Sequence, residues 1–204
     1  APERAPQAAR VDVAAMVAGY KGDANAAQAE AFDPTPSNLD ARTQNLRSGG
    51  LKVALLPKGT RGGVVHARLT LRFGDEKSLF GQETVASFTG SLIDKGGAGM
   101  TRQQISDALD KLQAQVGIGG SGQTVSANIT TKRDRLPAVI ELVGKLLREP
   151  AFPAEPLEEA RRQWLTGIER QRKEPDALID NMIGRHGNPY PRGDLRHTQT
   201  FDEA

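Results

Sequence analysis

The side chains that most often bind metals or act as bases are few in this chain. It has three histidines, His66, His186 and His197, and no cysteine. No two of these histidines have the four-residue spacing that places a pair on one helical face, and a catalytic zinc site needs three protein ligands. His66 falls in a predicted strand, opposite its apolar side, and the other two flank a segment rich in proline and glycine. We therefore expect solvated or hydrogen-bonded histidines, and predict neither a bound metal nor a cofactor.

A glycine-rich segment at residues 117–122 matches the pattern G-x-G-x-x-G. That pattern binds phosphate when it follows a strand and begins a helix, because the helix N-terminus then faces the anion. Here the six residues follow a helical pattern and lead into an alternating, strand-like segment. The context predicts a glycine-rich hairpin connection instead of a nucleotide site.

Serine nucleophiles and nucleic-acid surfaces are also poorly supported. Ser87 and Ser91 lie in no G-x-S-x-G elbow and have no histidine near them in the sequence. The basic residues between 161 and 173 alternate with glutamates, which is typical of a solvated helix face. The net charge of +2 and the 4% aromatic content argue against nucleic acid as a partner. No apolar run is long enough to cross a membrane.

Hydrophobic periodicity predicts the elements that position these residues. Segments 51–56 and 64–73 are predicted strands joined as a hairpin, and 115–119 and 123–131 form a second pair. Helical patterns cover 84–95, 136–147, 156–173 and 175–185, and a capping box of Thr101 and Gln104 begins another helix. The order predicts an α+β fold, with helices on one face of a mainly antiparallel sheet.

Two of these helices have clear apolar sides. In the helix at 136–147 the predicted buried residues are Leu136, Val139, Ile140, Val143, Leu146 and Leu147. In the helix at 156–173 the predicted stripe is Leu157, Ala160, Trp164 and Ile168. These spacings of three and four residues place each set on one helical face.

The first part of the chain has a different composition. Residues 1–46 are rich in alanine, proline, glutamine and aspartate, with two X-Pro steps at 33–36 that favour extended chain. A short helix is predicted at 11–18, ended by Gly19. We interpret 1–46 as a linker or inter-domain segment, and 47–204 as one domain that we expect to be truncated at its C-terminal end. Because the chain begins at Ala1 without a methionine, we expect a processed product or a piece of a longer protein.

Residues 85–97 resemble the zinc-binding helix of the pitrilysin/insulinase peptidases, which carries the motif H-x-x-E-H. Ser87, Gly90 and Ser91 stand at the positions of the two histidines and the glutamate. The frame of the helix is kept at Ala86, Phe88, Leu92, Lys95 and Gly96. Further segments match the family in order and spacing, at 50–57, 72–76, 147–153 and 188–190. Together these matches cover roughly residues 45 to 204.

The resemblance implies one half of a pitrilysin-like (mitochondrial processing peptidase-like) metallopeptidase that has lost its zinc site. In active members the two histidines and a later glutamate bind zinc, and the glutamate of the motif polarises the attacking water. Thr166 and Gly167 replace the acidic pair that supplies the later ligand. The chain is therefore predicted not to be an enzyme, whereas the parent protein is expected to be a zinc metalloendopeptidase.

Two functions follow from the resemblance. In the first, the chain is a non-catalytic chamber wall that binds extended peptides, beside other peptidase-like domains of the same protein or a paired subunit. In the second, it is a scaffold or assembly module without peptide binding. The resemblance also implies the second unit of a bacterial tandem protein and a periplasmic or secreted location, which the lack of cysteine permits.

Overall fold

The computed structural model describes residues 29–204, and the chain divides into two compact units, Ala1–Gly62 and Gly63–Ala204. The helix predicted at 11–18 lies outside the described residues. In the first unit, helix α1 (Pro36–Arg42) precedes an antiparallel hairpin of β1 (Gln44–Ser48) and β2 (Leu51–Leu55). The domain boundary between residues 46 and 47 stays a prediction.

The predicted hairpin between segments 51–56 and 64–73 is wrong. Strand β2 pairs with β1, and the two are joined by Gly49 and Gly50. Both glycines have positive φ, at 53° and 84°, which a type I′ hairpin turn requires and which glycine adopts without a steric penalty. The Gly-Gly pair between two strand-like runs was therefore the decisive turn signal.

The second unit contains a three-stranded sheet, a small strand pair and five helices. Its elements are β3 (Val64–Arg72), α2 (Glu83–Leu92), β4 (Gly96–Gly97), β5 (Met100–Thr101), α3 (Arg102–Lys111), β6 (Gln115–Ser121), β7 (Thr124–Lys132), α4 (Leu136–Arg148), α5 (Ala154–Gln171) and α6 (Pro175–His186). The sheet order is β3-β7-β6 with antiparallel pairing throughout, and β4 pairs with β5. The predicted α+β class is confirmed.

The core lies between β7 and α4. Strand β7 alternates, with Val125, Ala127, Ile129 and Thr131 buried on one face. Helix α4 covers that face with Val139 and Val143, and these two and Leu146 are the largest fully buried side chains of the described residues. Burying a valine or leucine completely contributes about 1.5–3 kcal/mol. The contact between α4 and β7 therefore contains most of the buried hydrophobic cluster of the unit.

The sequence predicted several local features correctly and two apolar stripes only in part. Thr101 and Gln104 form the capping box, since the Thr101 side chain accepts from the Gln104 amide and the Gln104 side chain accepts from the Thr101 amide. Ile140 is 51% exposed, because it lies about 100° around α4 from Val139. In the described part of the chain α5 has no buried residue, and Trp164 on its predicted stripe is 38% exposed.

Candidate functional site

Helix α2 carries the three positions that the resemblance assigns to the zinc motif. Its buried residues are Ala86, Gly90 and Leu92, and α2 packs on β6. Ser87 is half-buried and Ser91 is exposed. The Ser91 hydroxyl donates to the Phe88 carbonyl at 3.0 Å. This hydroxyl is therefore held by its own helix and is not directed at a ligand.

Gly90 is the point of closest approach between helix and sheet. A Cβ atom built on Gly90 would overlap the carbonyl group and the Cα of Gly120, which lies on β6. Protein interiors are packed at crystal-like density, so a side chain fits here only if α2 moves away from the sheet. The position at which the resemblance places a glutamate is thus filled by backbone packing.

Helix α5, which carries the other two assigned positions, contacts α2. The rings of Phe88 on α2 and Trp164 on α5 have centroids 5.8 Å apart and are tilted by 55°. Next along α5, Thr166 is exposed and Gly167 is half-buried. These two residues line a shallow depression together with Gln163 and the arginines Arg162 and Arg170. The two helices that the resemblance assigns to a metal site are therefore neighbours in this fold.

The residues at these five positions do not fit zinc. They offer the hydroxyls of Ser87, Ser91 and Thr166 and the bare backbone of two glycines, whereas zinc sites use imidazole, thiolate or carboxylate ligands. Two arginines, Arg162 and Arg170, lie beside Thr166 and Gly167 on α5, and their positive charge opposes a cation at these two positions. No step of a metal-dependent hydrolysis can be assigned to these side chains.

The three histidines each have different surroundings. His66 is exposed on β3, and its Nδ1 is 3.1 Å from the Thr130 hydroxyl on β7. His197 is half-buried with Nδ1 3.1 Å from the Tyr190 carbonyl, and His186 is exposed at the end of α6. Between residues 29 and 204 no three histidine, aspartate or glutamate side chains are grouped so that they could hold a metal ion.

The G-x-G-x-x-G segment forms the end of β6 and its turn into β7. Gly117, Gly119 and Gly120 pair with residues of β7, and Gly122 occupies the turn with φ of 56°. The predicted hairpin connection is confirmed. These glycines serve packing, since Gly120 is the residue against which Gly90 lies.

Sequence reasoning missed an ionic cluster in the segment after α6. Arg196 bonds the carboxylates of Asp194 and Glu76, and its guanidinium lies 4.0 Å from the centroid of the Tyr190 ring. The side-chain hydrogen bond from Arg196 lowers the pKa of Asp194 to about 2. Glu76 and Arg196 are 120 positions apart, so no local pattern indicated this contact. The cluster fixes the last segment to the turn that precedes α2.

A second carboxyl in the same region has the opposite shift. Glu83, the first residue of α2, is half-buried, and burial raises its pKa above the ordinary value although nearby His197 lowers it. Desolvation therefore outweighs the attraction of the imidazole.

Comparisons with known proteins find similar folds only among solved structures. No family model and no curated protein matches the chain. Among solved structures, a peptidase M16 inactive domain from Pseudomonas fluorescens is 21% identical with a TM-score of 0.58, over 76% of this chain and 37% of that one. A protease from Helicobacter pylori is 15% identical with a TM-score of 0.57, over 79% and 39%. The periplasmic protease PqqL from Escherichia coli is 10% identical with a TM-score of 0.59, over 87% and 19%.

These similarities concern the fold, since every identity is below a quarter. The chain spans less than two-fifths of the length of each of these proteins. The neighbours are an inactive peptidase domain and two proteases, so the α+β arrangement described above is one used by M16 peptidase domains.

Proposed function

We propose that this chain is a catalytically inactive peptidase-like unit of a larger zinc protease, in which it forms a non-catalytic wall of the chamber and contacts peptide. The fold it shares with an inactive M16 domain supports the peptidase-like part of this proposal. The hydroxyls and glycines at the assigned positions on α2 and α5 do not fit zinc, which supports the proposal that the unit is inactive. The catalytic half would then belong to another domain of the same protein or to a paired subunit.

The observation that carries the proposal is the contact between Gly90 and Gly120. Where only a zinc ligand has been lost, substituting one side chain can restore it. At Gly90 the space for a general base is itself missing, because the backbone of β6 occupies it. The packing of α2 on β6 therefore leaves no room for the general base of a zinc peptidase at this position.

Zinc stoichiometry of the purified, dialysed chain, with a peptide-cleavage assay on the same sample, tests the inactive part. An active zinc peptidase treated in the same way serves as the positive control. We expect zinc close to zero and no cleavage. Near one zinc per chain, lost on changing His66, His186 or His197, would refute the proposal and reveal a different metal site.

The second candidate function is a scaffold or assembly module without peptide binding. It is favoured by an apolar face on α6, where Ile179, Met182 and Ile183 are 53%, 68% and 68% exposed. Their spacing of three and four residues places them on one side of the helix. Direct measurement of peptide binding separates the two candidates, since only the chamber wall requires it.

We propose that the protein is located in the bacterial periplasm or is secreted. One structural neighbour, PqqL, is a periplasmic protease. Within residues 29–204 no helix has both the length and the apolar character needed to cross a membrane. As partners we propose other peptidase-like domains and extended peptides.

A further inference from the structure

The three-stranded sheet has a second, polar face opposite the core. On β3 this face consists of His66, Arg68, Thr70 and Arg72, which are all exposed. On β7 it consists of Thr124, Ser126, Asn128, Thr130 and Lys132, of which Asn128 and Lys132 are exposed. On β6 the matching positions include Gly117, which is exposed, and Gly119, which is half-buried. We call this surface the basic sheet face.

The charge of the basic sheet face has one sign. Strands β3, β6 and β7 carry Arg68, Arg72 and Lys132 and contain no aspartate or glutamate. Within residues 29–204 none of these three cations forms a salt bridge. Several helix cations lie beside a carboxylate instead, as Lys145 does beside Glu141 on α4. The face therefore departs from the balanced charge of the rest of the chain.

The strand register spaces the three cations evenly. Lys132 lies opposite Val64, Arg68 lies opposite Asn128, and Arg72 lies opposite Thr124. Along the sheet the order is thus Lys132, Arg68 and Arg72, and neighbouring cations are four register positions apart. At about 3.3 Å per residue, this spacing is about 13 Å. An extended chain with an acidic side chain at every fourth residue has the same repeat.

The surface between the cations suits a peptide backbone. A shallow depression is lined by Arg68, Gly117, Gly119, Ser126 and Asn128, together with neighbouring residues of β6 and β7. Hydroxyl and amide side chains there are able to donate and accept hydrogen bonds.

We propose that the basic sheet face binds extended acidic peptide segments, with carboxylates four residues apart pairing with Lys132, Arg68 and Arg72. This inference rests on the proposed peptide-contacting function and names its substrate class. A nucleic acid is the weaker candidate, because β3, β6 and β7 contain no tryptophan, tyrosine or phenylalanine on which bases could stack.

Fluorescence anisotropy of labelled peptides with the full chain tests the inference. The probe is a serine- and threonine-rich peptide with an aspartate at every fourth position, three in all. Matched probes carry asparagine or lysine at those positions, or the three aspartates side by side. We expect the spaced aspartate peptide to bind most tightly and its affinity to fall as salt is raised.

The double variant Arg68→Gln/Arg72→Gln should weaken that binding about fivefold, as expected for two exposed ion pairs. The double variant Arg102→Gln/Arg148→Gln removes the same charge from the exposed ends of α3 and α4 and should leave affinity unchanged. Circular dichroism confirms that both variants are folded.

The alternatives are distinguishable. Equal affinity for the aspartate, asparagine and lysine peptides would overturn the acidic preference and leave peptide binding, and hence the proposed function, standing. Equal affinity for spaced and adjacent aspartates would overturn the four-residue match. Tighter binding of an oligothymidylate than of any peptide would identify a nucleic-acid surface instead. Failure of all peptides to bind would refute the chamber-wall function itself and favour the scaffold.

Discussion

The backbone of Gly90 in α2 lies directly against the backbone of Gly120 in β6, with no room for a β-carbon between them. Two glycines at one crossing let a helix approach a sheet more closely than any other pair of residues allows. Leu92 and Ile93, which follow Gly90 along the chain, are buried. The contact thus explains why a glycine is required at the position that the resemblance assigns to a general base.

Gly90→Ala should therefore destabilise the protein. In most helices this change is favourable, because alanine has a higher helix propensity than glycine. Here the added methyl group forces α2 away from β6, and overpacking of this kind costs about 1–3 kcal/mol. Urea denaturation, followed by the fluorescence of the single tryptophan, Trp164, measures the change in the free energy of unfolding.

Gly144→Ala in α4 is the matched control for the Gly90 variant. A Cβ at Gly144 meets no atom within 4 Å, so only the propensity gain remains. We expect unchanged or higher stability, by up to about 1 kcal/mol. If both variants behaved alike, the close approach at Gly90 would not be a stability determinant and the main support for an inactive unit would fail.

The ring contact between Phe88 and Trp164 predicts an energetic coupling between α2 and α5. Tilted aromatic pairs contribute about 0.5–1.5 kcal/mol beyond their buried area. A double-mutant cycle with Phe88→Leu and Trp164→Leu, measured by urea denaturation with circular dichroism, should give a coupling energy in that range.

A cycle of Phe73→Leu with Trp164→Leu provides the comparison. The only ring-to-ring contact found in residues 29–204 is that of Phe88 with Trp164, so this second cycle should be additive. Additivity in the first cycle as well would mean that α2 and α5 are not held together in solution. The interpretation of α2 and α5 as parts of one site would then lack support.

Local signals in the sequence were sufficient for much of the fold. The capping box at Thr101 and the stripe of Val139, Val143 and Leu146 were predictable, because hydrogen bonding and burial there depend on residues within two turns of a helix. The β6–β7 hairpin was predictable for the same reason, since its strands are separated by one short turn. The positions on α2 that belong to the site were found by resemblance alone.

Features that depend on distant residues were not predictable. Strand β3 pairs with β7, whose residues come about sixty positions later, and the wrong hairpin followed from assuming that neighbouring strands pair. The basic sheet face has the same origin, because register brings Arg68 and Lys132 onto one surface while the whole chain has a net charge of only +2. The close approach of Gly90 likewise depends on where β6 lies.

Asp194 should make the protein sensitive to acid. Its folded pKa of about 2 is below the ordinary 3.8, so the unfolded chain takes up the proton first as the pH falls. The stabilisation is complete above pH 4 and is lost between about pH 4 and pH 2. Asp194→Asn should therefore lower the urea midpoint at pH 7, and the difference from the wild type should shrink through that window.

Arg196→Gln tests the cause of the Asp194 shift. Because the Arg196 side chain supplies the largest contribution, this variant should lose the same acid sensitivity, and adding Asp194→Asn to it should change little. Full additivity of the two substitutions at pH 7 would show that they stabilise the protein independently.

Glu83 should show the opposite pH dependence. Its pKa is raised by burial, so the folded state binds this proton more readily than the unfolded chain does, and ionisation at higher pH opposes folding. Glu83→Gln removes that cost. Relative to the wild type, the variant should gain stability as the pH rises from below the ordinary value of 4.5 to neutrality, measured as urea midpoints across that range.

Glu155→Gln is the control that distinguishes the effect of burial on stability from the effect of the helix dipole. Glu155 also lies in the first turn of a helix, α5, but is exposed, so its substitution removes a favourable interaction with the helix N-terminus without relieving desolvation. We expect Glu155→Gln to be slightly less stable than the wild type at neutral pH. The stability of Glu83→Gln relative to the wild type should instead be higher at neutral pH than in acid. If Glu83→Gln instead lost stability with rising pH, attraction from His197 or the dipole would outweigh burial, and the raised pKa would be wrong.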